Sequence, residues 1–251
     1  MTAIFVHGVP ETSELWDEVR AVLNAGSVAL RLPGFGCMVP NGFTASKDGY
    51  ANWLADEIRH FEAPIDLVGH GWGGLLCVRV SGMLDSKVRS WTIDMARALH
   101  PDYVWNRVAR TWQTPGAGEE WMEAALRAGA SGPVSTAQRL RVLGIPSQQA
   151  ESMASAHDET MSRCILGLYR SAIPNVSADW GASLARPTGM PGLVLFPSAD
   201  PFDHEALSRV VAARLGARIE RLEGLGHCWM TEDPGRSAGV LRRFWSSLSD
   251  P

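Results

Sequence analysis

Two residues in the last quarter of the chain have the types expected of an acid–base pair. His227 lies in a glycine-flanked loop, Glu223-Gly224-Leu225-Gly226-His227-Cys228-Trp229. An imidazole titrates near neutral pH, so it can take and return a proton within one turnover. Asp200, in Ser198-Ala199-Asp200-Pro201, can hold one tautomer of that ring and stabilise its cation. An Asx turn before Pro201 would also use an aspartate here, and the two roles are compatible. A third stretch, Leu67-Val68-Gly69-His70-Gly71-Trp72-Gly73-Gly74, reads as an apolar strand turning sharply into a helix. A small-x-nucleophile-x-small pattern at such a turn projects its middle residue into an active site. Gly69 and Gly73 suit the close approach of strand and helix backbones. The middle residue is Gly71, so the turn is present and its nucleophile is missing.

The elements that would position these residues alternate. Strands are expected at Ala3–Val6, Ser27–Leu32, Ile65–Val68, Val88–Ile93, Gly192–Phe196 and Arg218–Leu222. Helices are expected around Leu15–Leu23 and over Asp48–Phe61, Trp72–Met83, His204–Leu215 and Pro234–Leu248. Apolar strands separated by helices imply an α/β fold, a mostly parallel sheet covered on both faces. The alternation stops between Met95 and Arg186. There the pattern gives helical patches at Val108–Trp112, Glu119–Ala128, Ser135–Leu143 and Glu159–Ser171, and no strand.

Four motifs in order carry a resemblance: His7-Gly8-Val9-Pro10, the turn at Gly71, Ser198-Ala199-Asp200-Pro201 and Gly226-His227. Together they resemble the α/β-hydrolase superfamily over nearly the whole chain. The His-Gly-x-Pro form and the Gly-His-x-Trp-Gly-Gly turn are most similar to its epoxide hydrolase and haloalkane dehalogenase branch. The resemblance implies a core domain of residues 1–94 and 187–251, with residues 95–186 as a helical lid. It implies His227 as the catalytic base and Asp200 as its acid, with Asp94 as a second candidate acid, since some dehalogenase-like members place it there. It implies an oxyanion hole from the N–H groups of Val9 and Trp72. Gly71 departs from the branch, which carries Asp there, and from esterases, which carry Ser. Tyr103 and Tyr169 fall where epoxide hydrolases keep ring-opening phenols, although aromatic packing explains them equally well. His7 and His70 are expected to brace loops around the turn.

Composition narrows the rest. The chain has 251 residues, a net charge of −4, 45% hydrophobic and 20% charged residues, ordinary values for a globular enzyme. No basic tract supports nucleic-acid binding, and no apolar run is long enough to span a bilayer. The N-terminal segment lacks a signal-peptide pattern. The four cysteines have no metal-ligand spacing; a cytoplasmic protein with reduced thiols, no metal and no cofactor is expected, as a monomer or homodimer. Ten tryptophans are present. Trp105, Trp112 and Trp229, with the two tyrosines, are expected to line a pocket for a small hydrophobic substrate.

Glycine at position 71 leaves three readings open. The chain is a nucleophilic hydrolase stripped of its nucleophile, acting on epoxides or carbon–halogen bonds if the parent residue is Asp and on esters or lactones if it is Ser. Or the glycine is native, and His227 with Asp200 drives non-covalent chemistry: direct hydrolysis, isomerisation, cyclisation, a lyase step or cofactor-free oxygenation. Or the pocket only binds a small ligand.

Overall fold

Six strands form one sheet: β1 (Thr2–Val6), β2 (Ser27–Leu30), β3 (Ile65–Gly69), β4 (Val88–Ile93), β5 (Gly192–Pro197) and β6 (Arg218–Leu222). Their order is β2-β1-β3-β4-β5-β6, and every neighbouring pair is parallel. The computed structural model describes residues 2–24, 26–84, 86–129, 132–184 and 187–248. The expected domain limits at residues 1, 186 and 251 lie outside these.

Both faces of the sheet are covered, as apolar runs in parallel strands require. Side chains alternate between two cores: Ile4, Val6 and Leu67 enter one, Ala3, Phe5 and Val68 the other. The first is closed by α2 (Lys47–Arg59), α3 (Trp72–Ser81) and α10 (Glu205–Leu215), the second by α1 (Asp17–Leu23) and α12 (Pro234–Ser246). Strand β2 stops two residues short of the sequence expectation. At Leu32 the backbone N–H donates to His7 Nε2, so the chain leaves the sheet to brace the β1 loop.

Chain order reverses at β1: β2 lies to one side and β3 to the other. In open parallel sheets, ligands bind beyond the strand C-termini at such a reversal. His7 follows β1, His70 and Gly71 follow β3, Asp94 follows β4, Asp200 lies just past β5 and His227 past β6. Five strand ends therefore deliver residues to one edge.

Between β4 and β5 the described residues form only helices and loops. The helices are α4 (Arg107–Gln113), α5 (Ala117–Ala128), α6 (Thr136–Val142), α7 (Ser147–Ser155), α8 (Glu159–Arg170) and α9 (Ser177–Trp180). Four match the expected patches. Helix α7 escapes sequence reading because its polar run buries only Ala150 and Met153. The short α9 and α11 (Trp229–Glu232) are too brief to show a period. No described helix is long and apolar enough to cross a membrane.

Candidate active site

The turn after β3 is held by close packing. A Cβ built on Gly69 would lie 2.5 Å from the Gly73 backbone, and one on Gly73 would lie 2.2 Å from the Val6 carbonyl oxygen. Any side chain at either position would drive α3 off the sheet. Gly71 is different. It has φ 52° and ψ −120°, backbone that glycine adopts freely and other residues adopt at a cost of about 1–3 kcal/mol. A Cβ there would meet nothing closer than Gly8 Cα, at 3.7 Å. The middle of the turn therefore faces open space.

That space belongs to a small cavity of about 70 Å³ lined by Gly8, Val9, Glu11, His70, Gly71, Trp72, Tyr103, Trp105, Arg139, Tyr169 and His227, among others. It is room for a few waters or part of a small ligand. His227 Nδ1 lies 2.9 Å from Asp200 Oδ2, and Asp200 Oδ1 accepts from the Phe202 N–H at 2.8 Å. The aspartate thus sits in an Asx turn and on the imidazole together. The His227 side chain is 13% exposed against 1% for Asp200, so the ring faces the opening and the carboxylate lies behind it. The N–H groups of Val9 and Trp72 have no hydrogen-bond partner among the described residues.

A second histidine–aspartate pair stands beside the first. His70 and His227 meet edge to face with centroids 4.7 Å apart. His70 Nδ1 lies 2.5 Å from Asp94 Oδ2, which also accepts from Trp229 Nε1 at 2.7 Å, while Asp94 Oδ1 accepts from the Gly71 N–H at 2.8 Å. Burial alone would push the His70 pKa down. The charge and hydrogen bond of Asp94 outweigh it and raise the pKa to about 9. His70 is therefore a cation at neutral pH, and its buried Nε2 has no partner among the described residues. Asp94 correspondingly stays ionised, since His70 offsets its burial.

His7 is the opposite case. Burial lowers its pKa to about 4. As a neutral ring it donates from Nδ1 to the Gly8 carbonyl at 2.7 Å and accepts the Leu32 N–H at Nε2. It braces the loop, as expected.

Three sequence expectations change. Asp94 does not serve His227; its carboxylate is taken by His70, Trp229 and the turn. Trp229 is wholly buried and lies outside the cavity lining, because α11 turns it away from His227 toward Asp94 and Trp16. Trp112 also lies outside the lining and backs Tyr169, with ring centroids 4.9 Å apart. Tyr103, Tyr169 and Trp105 do line the cavity. Trp105 stacks on Trp72 with centroids 5.5 Å apart. Burial raises the pKa of both phenols, so they remain protonated donors. Cys228 is fully buried and, with its thiol pKa pushed up, inert.

Two charged lining residues escaped sequence reading, Glu11 and Arg139. Glu11 is 1% exposed and its Oε2 has no partner among the described residues. Its signal was a carboxylate directly after His7-Gly8-Val9-Pro10, in an apolar context. Arg139 has no local signal, since α6 carries two arginines and only the fold distinguishes them. No group of three or more His, Cys, Asp or Glu side chains among the described residues could hold a metal.

These features define a class. The chain matches the model of the alpha/beta hydrolase family over residues 3–240, and it belongs to that family. A haloalkane dehalogenase from Bradyrhizobium elkanii superposes with a TM-score of 0.71 at 21% identity, covering 98% of this chain and 91% of that one. A laboratory-evolved potato epoxide hydrolase superposes with a TM-score of 0.74 at 16% identity, covering 98% and 92%. An esterase from Thermogutta terrifontis gives 0.70 at 16%, covering 100% and 91%. No curated protein sequence matches the chain. At such identities the structural likeness establishes the fold.

Proposed function

We propose that the protein is a cofactor-independent, hydrolase-type enzyme in which His227, oriented by Asp200, activates water without a covalent intermediate. The observation that carries this reading is His227, held by Asp200 at 2.9 Å and lining the same cavity as the open position at Gly71. A water there would lose a proton to His227 Nε2 as its oxygen attacks an ester or lactone carbonyl. The Val9 and Trp72 N–H groups would receive the oxyanion, an effect worth about 3–4 kcal/mol for one well-aimed donor. Collapse would expel the alcohol oxygen, which recovers the proton from His227. With an epoxide, the water would attack a ring carbon and lose its proton to His227 while Tyr103 or Tyr169 donates a hydrogen bond to the opening oxygen, and the alkoxide formed would then take up that proton to give the diol. Residues 95–186 would act as a lid over a small, largely apolar substrate.

A second reading has its own support. Residue 71 keeps the conformation of a nucleophile-bearing turn, φ 52° and ψ −120°, with empty space at its Cβ. A carboxylate or hydroxyl would fit there, as in a covalent hydrolase. The dehalogenase and epoxide hydrolase likenesses make Asp the first residue to try.

The test compares the protein with Gly71→Asp and Gly71→Ser on aryl epoxides, haloalkanes, short esters and lactones, with His227→Ala as control. Turnover by the glycine form that disappears in His227→Ala supports the water mechanism. Turnover appearing only with Asp or Ser overturns it in favour of the covalent reading. Unchanged ligand affinity with no turnover in any form reduces the site to a binder.

A further inference from the structure

Arg139 is a charged lining residue that the proposed mechanism leaves unused. It reaches the cavity from α6. Its guanidinium lies over the Trp112 ring, 4.9 Å from the centroid. That contact covers one face of the group. The Arg139 side chain is half-buried and makes no hydrogen bond or salt bridge to a described residue, and its Nε is shut off from solvent without a partner. A guanidinium has five donors and keeps its charge at any physiological pH. Desolvation pulls the pKa of Arg139 down, and the more distant charge of Glu11 offsets part of that without forming an ion pair.

Glu11 is the only other formal charge on the cavity wall apart from the histidines. It also has an unpartnered oxygen, yet it forms no salt bridge within 4 Å of Arg139. Glu11 lies close to the His70 ring and acts on Arg139 only at longer range, so the Arg139 guanidinium keeps no direct carboxylate partner in the cavity. The remaining wall near them is aromatic and aliphatic: Trp105, Tyr169 and Leu143.

From this arrangement we infer that the cavity takes a substrate carrying a carboxylate, held by the Arg139 guanidinium, with its apolar body against Trp105 and Leu143. A planar guanidinium matches a carboxylate through two parallel hydrogen bonds. The substrate is therefore anionic as well as apolar. This inference rests on the catalytic reading only for the word substrate; the recognition is a property of the cavity whether or not turnover follows.

Benzoate and benzamide share shape and differ in charge at neutral pH, so they isolate the interaction. Both are titrated calorimetrically into the full chain and into Arg139→Gln, Arg139→Lys and His227→Ala. The expected result is benzoate binding about tenfold or more tighter than benzamide. Arg139→Gln abolishes that preference while benzamide affinity changes little, and Arg139→Lys retains part of it. Equal binding of the two ligands, no benzoate binding at millimolar concentration, or a preference that survives Arg139→Gln overturns the inference. The comparison within the unaltered protein stands even if Arg139→Gln folds poorly. A benzoate preference kept in His227→Ala, with no turnover found on any substrate, fails the catalytic reading and leaves the carboxylate site in place.

Discussion

Two histidine–aspartate pairs stand side by side in this site, built from the same atoms and set in different surroundings. Each joins an imidazole Nδ1 to an aspartate oxygen, at 2.9 Å for His227–Asp200 and 2.5 Å for His70–Asp94. They differ in what surrounds them. His227 keeps 13% of its side chain open, on a loop beyond β6. His70 and Asp94 are each 1% exposed, and Asp94 also ties Trp229 and the Gly71 N–H. A proton carrier must meet the reacting atoms and exchange its proton, which the open pair can do. The closed pair holds a fixed charge and fixes the turn. Burial and the number of bonds to the carboxylate, rather than residue type, separate the roles.

The comparison can be broken by exchanging effects between the pairs. His227→Ala should lower turnover by about 10²–10⁴-fold with the melting temperature nearly unchanged; a large loss of stability with modest loss of rate would reverse the assignment. Asp94→Asn should do the opposite first. It leaves a buried histidine cation without its partner and should cost about 3–5 kcal/mol in urea unfolding; a cost below about 1 kcal/mol would mean that the closed pair does not hold the turn. Asp200→Asn should reduce kcat with a smaller change in stability.

A pH titration sharpens the contrast further. The His70 pKa is raised to about 9 from an ordinary 6.5, so the folded state holds its proton more tightly than the unfolded chain. The stability this contributes is fully present below about pH 6.5 and lost as pH rises through about 9. The His7 pKa is lowered to about 4, so its effect runs the other way, with stability lost as pH falls from about 6.5 toward 4. Denaturant midpoints measured across this range should fall at both ends, and His70→Gln should flatten only the alkaline side. The smallest effect is expected for Trp229→Phe. It removes one hydrogen bond to a charged acceptor and should cost about 1.5–3 kcal/mol by thermal melts, with little change in KM.

Much of this was legible in the sequence, and for a physical reason. The strands are short apolar runs and the motifs sit at their C-terminal ends, so a parallel order alone gathers His7, Gly71, Asp94, Asp200 and His227 along one edge. Gly69 and Gly73 were readable because backbone contact leaves no alternative to glycine. The pairing of His227 with Asp200 was expected from the resemblance and is the one the geometry shows, but the second pair was not readable: Asp94 also follows a strand, and only the folded chain shows it meeting His70. Trp229 adjoins Cys228 and His227, yet a helical turn points it into the core. Arg139 was invisible because lacking a side-chain partner is a property of the folded surroundings, whereas Glu11 at least adjoins the His7-Gly8-Val9-Pro10 motif.

The packing of the β3–α3 turn has a consequence for descent. Its shape is enforced by Gly69 against Gly73, by Gly73 against Val6, and by Asp94 on the Gly71 N–H. None of these contacts involves a side chain at position 71. A side chain at position 71 can therefore come or go by a single substitution while the turn persists. The architecture sets the direction of that position independently of what stands there, so descent can vary the residue without refolding the protein.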